Sequence, residues 1–155
     1  MERLNCALVG YGGIAEFHVE ALKQIDGVEL RTLMGRRADP AKAFADRHGF
    51  ARSTTSLDEA LADDGLDAVI LTSPSEVHVQ QALACLEAGK HVLVEIPLAL
   101  SLNGALQIAE RGRQAGRQVM VAHTRRFDET GRFVKQFLDS GEAGHVYQHQ
   151  SYSLW

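Results

Sequence analysis

Short apolar runs alternate with helix-period stretches along this chain, and that alternation sets its reading. Leu4 to Val9 is an apolar strand that runs into the turn Gly10-Tyr11-Gly12-Gly13. A helix opens directly after it, with Ile14, Phe17, Ala21, Leu22 and Ile25 spaced for one apolar face. Val28 to Met34 reads as a second strand, Ala38 to His48 as a helix and Leu57 to Ala62 as a short helix. Ala68 to Leu71 is a bare apolar run of the kind a parallel strand shows when both its faces are buried. A helix over Glu76 to Ala88 stops at Gly89, and His91 to Val94 gives the next strand. Another helix from near Ser101 to Ala115 leads to a strand over Val119 to Ala122. Strand and helix repeated in this order predict an α/β fold built on a doubly wound parallel sheet.

The pattern changes after Ala122. Phe133, Val134, Phe137 and Leu138 share one helix face, Gly141 and Gly144 mark a turn, and Val146 to Trp155 alternates as a half-exposed strand would. The chain therefore divides into a sheet domain over 1–122 and, over 123–155, a linker helix with the first strand of a second, truncated domain. An exposed terminal strand carrying Tyr147, Tyr152 and Trp155 is expected to favour edge pairing.

The chemistry lies at the first turn. Gly10 can take the backbone angles of a tight strand-to-helix turn, and Gly12 lets an anion approach the helix N-terminus, where unpaired N–H groups of the first turn, at Gly13 and Ile14, can hold it. Ala15 is small enough for the helix to pack close to the strand. The resulting G-x-G-x-x-A is a dinucleotide-phosphate grip. At the end of the second strand, where a carboxylate would bind the ribose hydroxyls of NAD, the chain offers Gly35-Arg36-Arg37. Guanidinium groups there suit the extra phosphate of NADP, so NADP is expected as cofactor and NAD is the second candidate. Glu95, closing the strand His91 to Val94, stands at the carboxyl edge where open α/β sheets bind ligands.

Composition narrows the classes. The 155 residues are 45% hydrophobic with a net charge of −4, enough for a sizeable core and short of the basic excess that a nucleic-acid surface needs. Cys6 and Cys85 read as small core residues suited to a reducing cytoplasm. No apolar run approaches the length of a membrane span or a signal-peptide core. The histidines at 18, 48, 91, 145 and 149 show no metal-ligand spacing, so no metal is expected.

Two later segments carry a resemblance. Thr72-Ser73-Pro74 followed by His78 is similar to a T-x-P-x-x-x-H loop, and Leu86 to Ala99, containing Glu95-Ile96-Pro97-Leu98-Ala99, to a longer signature. With the glycine turn and the arginine pair, these make the chain resemble the N-terminal, Rossmann-type half of the Gfo/Idh/MocA oxidoreductases, a family of nicotinamide-dependent dehydrogenases. The resemblance implies that Thr72, Ser73, Pro74 and His78 lie beside the nicotinamide ribose. It also implies that Glu95 and Pro97 shape the nicotinamide pocket, with a cis peptide before Pro97. Read without it, His78 is a helix-surface histidine and Pro97 an ordinary trans turn.

One position departs from the family. Its signature has Glu-Lys-Pro with a catalytic lysine, and this chain has Ile96, which can neither donate a proton nor hold a carboxylate. The catalytic residue is therefore unassigned. Glu95 to Ala99 together with His123-Thr124-Arg125-Arg126-Phe127 resembles one branch, the 4-carboxy-2-hydroxymuconate-6-semialdehyde dehydrogenases. That likeness implies NADP-linked oxidation of the hemiacetal of a small dicarboxylated molecule. On this reading Thr124 and Arg125 face the cofactor, and His123 and Arg126 face the substrate. Of two adjacent arginines at most one is expected to reach the ligand, and His123 reads equally as a satisfied edge histidine. Family members continue into a larger open-sheet domain, so a homo-oligomer is expected of the full-length form. The rival expectation is a non-catalytic dinucleotide-binding sensor or partner module, supported by Ile96 and by the short chain.

Overall fold

The structure, a computed structural model, describes residues 3–150. Six parallel strands form one sheet in the order β3-β2-β1-β4-β5-β6. The strands are β1 (Leu4–Val9), β2 (Val28–Met34), β3 (Arg52–Thr54), β4 (Ala68–Leu71), β5 (His91–Val94) and β6 (Val119–Val121). Between them run α1 (Gly13–Leu22), α2 (Ala38–His48), α3 (Leu57–Leu61), α4 (His78–Glu87) and α5 (Leu102–Ala115), and α6 (Glu129–Asp139) follows. This is the classic order of a doubly wound dinucleotide-binding sheet, with its switch point between β1 and β4.

Alternation along the strands builds a core on each face. Ala7 and Val9 of β1 join Val69, Leu71, Val92 and Val94 beneath Ala82, Cys85, Leu86 and Ile108 of α4 and α5. Cys6 and Leu8 point the other way, toward Ala15 and Val19 of α1 and Ala41, Phe44 and Ala45 of α2. Both cysteines are free and buried, and burial pushes the thiol of Cys6 up to about 11 and that of Cys85 up to about 12. Ser56 and Ser101 cap α3 and α5 by accepting from the N–H groups of Glu59 and Gly104.

Near the N-terminal ends of the later strands the charges are paired. Arg31 donates to both Asp63 oxygens at 2.9–3.1 Å, Arg52 stands 3.7 Å from the same carboxylate, and the buried Lys90 donates to Asp63 O. Burial alone would raise the Asp63 carboxyl. The hydrogen bonds from Arg31 and Gly65, and the charges of Arg31 and Arg52, outweigh it and hold the group below its ordinary value.

Four sequence expectations are corrected. On α1 the buried residues are Ala15 and Val19, while Ile14, Phe17 and Ile25 are exposed; the close approach of the small Ala15 to the sheet sets which face turns inward. The short strand β3 was not expected, because an edge strand reading Arg-Ser-Thr carries no apolar run. Residues 146–150 carry no strand, since no neighbouring strand among the described residues pairs with them; the remainder of the expected strand, 151–155, lies outside the described residues. The helix expected over Glu76 to Ala88 begins instead as a 3₁₀ turn, Ser75–Val77, ahead of α4.

Contacts divide the chain into two compact units at Ala122/His123. In the second, α6 is amphipathic without a buried residue, and Phe133 and Phe137 stack at 6.5 Å. Among the described residues no helix is long and apolar enough to cross a membrane.

Candidate functional site

The C-terminal ends of β1, β2, β4 and β5 bring the expected site residues of the first unit to one edge. Gly10 ends β1 at φ +114°, and its N–H donates to Met34 O at 2.9 Å. A Cβ at Gly10 would lie 2.5 Å from Thr72 Oγ1 and 2.9 Å from Thr72 O, so glycine is required there by conformation and by space. Thr72 is locked in turn: its N–H and its hydroxyl both donate to Val9 O, at 2.8 and 2.9 Å.

Gly12 is the N-cap of α1, no side chain caps that terminus, and a Cβ at Gly12 or Gly13 would meet nothing within 4 Å. Open space in front of uncapped first-turn N–H groups is the cradle that a pyrophosphate needs, so the turn fits a dinucleotide. Ile14 is exposed in that same first turn.

Beside the cradle, β2 ends at Gly35. The Tyr11 ring and the Ala41 methyl close over it, leaving a Cβ 2.5 Å from Tyr11 Cδ1 and 2.8 Å from Ala41 Cβ. No side chain, acidic or otherwise, fits at that point without movement. Arg36 and Arg37 follow, both exposed, with Arg37 as N-cap of α2, and neither has a carboxylate partner among the described residues. This edge thus presents two unpaired guanidinium groups, unlike the paired cations at the opposite ends of the strands. Tyr11 escaped the sequence reading although it sits between the two glycines of the grip.

The segments after β4 and β5 are tied inward. Ser73 Oγ donates to Gln81, and Pro74 precedes the 3₁₀ turn. His78 is buried with both ring nitrogens facing main-chain oxygens, so of its two readings the helix-surface one is corrected. Glu95 is 9% exposed: one carboxylate oxygen lies 2.6 Å from His18 Nε2, and the other accepts from Ile96 N–H at 3.0 Å. The Ile96–Pro97 peptide is cis, as the resemblance implies, and Ile96 itself is 53% exposed. His18 is the residue that sequence reasoning missed here, because nothing in its spacing reveals a partner 77 residues away.

His123, Thr124, Arg125 and Arg126 belong to the second unit. All four are exposed, the last three in a 3₁₀ turn. Among the described residues no group of three His, Cys, Asp or Glu side chains is arranged to hold a metal ion.

Comparison with known proteins agrees with this geometry. The model of the Gfo/Idh/MocA oxidoreductase family, NAD-binding Rossmann fold, matches residues 4–123. The chain is 43% identical over 139 residues to 4-carboxy-2-hydroxymuconate-6-semialdehyde dehydrogenase of Sphingobium sp. (strain NBRC 103272 / SYK-6), covering 90% of this chain and 44% of that protein. It is 36% identical over 146 residues to inositol 2-dehydrogenase of Mycolicibacterium smegmatis, covering 93% and 42%. Among solved structures, GenD2 from gentamicin A biosynthesis, crystallised in complex with NAD, superposes with a TM-score of 0.88 at 34% identity, covering 92% of this chain and 41% of GenD2. The chain thus spans less than half the length of these relatives. Sheet order, glycine cradle and these matches together identify it as a member of the Gfo/Idh/MocA oxidoreductases, carrying their NAD-binding Rossmann fold.

Proposed function

We propose that this chain is the cofactor-binding half of an NADP-linked dehydrogenase that oxidises a hydroxyl or hemiacetal of a small, carboxylated molecule. The observation that carries the cofactor choice is the end of β2: Gly35 sealed beneath Tyr11, followed by the exposed, unpaired Arg36 and Arg37. A ribose with free hydroxyls finds no carboxylate acceptor there, whereas a ribose phosphate finds two fork-shaped donors. The likeness to 4-carboxy-2-hydroxymuconate-6-semialdehyde dehydrogenase supports the substrate class. Arg126 is the group proposed to meet a substrate carboxylate and His123 its neighbour on that side, with Thr124 and Arg125 toward the cofactor.

The bound nicotinamide would supply the hydride acceptor. This chain's part is to bind and orient. Gly10, Gly12, Gly13 and Ile14 receive the pyrophosphate at the α1 N-terminus, Arg36 and Arg37 receive the ribose phosphate, and the segments Thr72-Ser73-Pro74 and Glu95-Ile96-Pro97 bound the nicotinamide side. Ile96 holds no proton, so the base that takes the substrate proton comes from another residue.

Calorimetric titration with NADP and NAD, repeated on Arg36→Ala, tests the reading. NADP should bind roughly 10-fold or more tighter than NAD, and the preference should collapse in the variant. Equal or tighter binding of NAD overturns the cofactor choice. The rival, a non-catalytic sensor module, draws support from Ile96. It would bind NADP equally well, yet its full-length form would reduce no NADP with any carboxylated hydroxy or hemiacetal substrate.

A further inference from the structure

His78 opens α4 and is 1% exposed. Its ring stands between two main-chain carbonyls, with Nδ1 2.9 Å from Pro97 O and Nε2 2.8 Å from Ser73 O. These oxygens belong to the segments that follow β4 and β5, strands paired in register through Leu71 and Val94. A carbonyl oxygen only accepts, so each ring nitrogen must donate to bond its partner. With both nitrogens engaged and the ring enclosed, neither is left to touch a ligand. The Ser73 segment has a second tie to α4 through its own hydroxyl and Gln81.

We propose that His78 is a positioning residue: a buried brace whose ring, set between Ser73 O and Pro97 O, holds the segments after β4 and β5 at a fixed separation. The nicotinamide half of the dinucleotide then finds its side of the crevice preformed. The inference rests on the dinucleotide reading above. In a doubly wound sheet the pyrophosphate lies over the turn after β1 and the adenosine half turns toward β2, which leaves the β4 and β5 side to the nicotinamide. Segments already fixed lose less freedom when the ligand arrives, so the brace acts on affinity for that half alone.

The test uses the full 155-residue chain, with His78→Leu and His78→Gln, titrated with NADP and with 2′,5′-ADP, which carries the adenosine half and its phosphate but no nicotinamide. For His78→Leu, NADP affinity should fall about 10-fold while 2′,5′-ADP affinity stays within about twofold. His78→Gln, whose amide still donates through one nitrogen, should lose less, and it stands in if the leucine variant does not fold. Amide hydrogen exchange in the segments after β4 and β5 should quicken in His78→Leu while exchange at the β1 turn stays as in wild type. An equal loss for both ligands reduces His78 to a general fold residue and overturns the proposal, as does unchanged NADP affinity. Wild-type protein that binds neither ligand defeats the dinucleotide reading, and the exchange comparison then decides whether the brace exists.

Discussion

Alanine at Gly10 and alanine at Gly12 should fail in different ways, because the two glycines serve different needs. At Gly10 the backbone lies at φ +114°, which costs a residue with a Cβ roughly 1–3 kcal/mol. The added methyl would also stand 2.5 Å from Thr72 Oγ1 and 2.9 Å from Thr72 O, and overpacking of that kind costs about 1–3 kcal/mol. Thr72 cannot withdraw without losing two hydrogen bonds to Val9 O. The total, about 2–6 kcal/mol, is a large part of the roughly 5–15 kcal/mol that holds a domain of this kind together. Urea unfolding followed by circular dichroism should show the midpoint falling with little change in slope. Combining Gly10→Ala with Thr72→Ala removes the nearest clash but neither the carbonyl contact nor the strained φ, so the pair should couple by about 1 kcal/mol. Gly12 sits at φ −80° and ψ −177° with open space where its Cβ would be, so alanine there should cost at most about 1 kcal/mol of stability. The same methyl would fill the cradle and weaken NADP about 10-fold or more. A Gly10→Ala variant as stable as wild type would refute the crowded turn, and undiminished NADP binding by Gly12→Ala would refute the cradle.

Gly35→Asp should not convert the site to NAD. Its Cβ would meet Tyr11 and Ala41, so the variant should lose about 1–3 kcal/mol in a thermal melt, part of it recovered with Tyr11→Ala; full stability with a gained NAD preference would count against the sealed β2 end. Asp63→Asn should cost about 1–3 kcal/mol near neutrality by breaking the Arg31 pair. Because the folded carboxyl sits below its ordinary 3.8, that stabilisation is whole above this value and fades as the pH falls through the folded value. The gap in urea midpoint between variant and wild type should therefore narrow as the pH falls below the ordinary carboxylate range, and a constant gap would sink the assignment. Ser101→Ala should cost about 0.5–2 kcal/mol through loss of the α5 cap, and an unchanged melting temperature would show the cap to be idle.

The sheet was legible where burial leaves a mark on the sequence. Ala68 to Leu71 and His91 to Val94 lie in the middle of the sheet, covered on both faces, and their bare apolar runs say so. Arg52 to Thr54 lies at the edge and needs no such run. On α1 the apolar spacing picked the face of Ile14 and Phe17, but small Ala15 and Val19 are the residues packed against the sheet, since the close approach of helix and strand favours small side chains there. The glycine turn was legible because the end of β1 needs a residue at positive φ at Gly10 and open space at Gly12, which glycine supplies. The partners of His78 and Glu95 were not, since Pro97 and His18 reach them from segments far apart in the chain.

These inward ties divide the work at the C-terminal edge. Thr72, His78 and Glu95, the polar side chains that sequence alone would aim at a ligand, bond instead to Val9 O, to Ser73 O and Pro97 O, and to His18 and the Ile96 N–H. Facing outward are main-chain N–H at a helix end without a side-chain cap, two exposed guanidinium groups with no carboxylate partner among the described residues, and the exposed side chain of Ile96. On the proposed function the first two are charge-selective and suit an anionic cofactor. The third, an isoleucine between a glutamate tied to His18 and a proline whose carbonyl faces His78, would on that reading give the nicotinamide side an apolar wall. If the proposed function holds, such a site aligns a hydride carrier while leaving proton transfer to a residue outside the Glu95-Ile96-Pro97 turn, so replacing Ile96 with alanine should weaken NADP binding and leave the pH dependence of turnover in the full-length form unchanged; a shifted pH profile would refute this division.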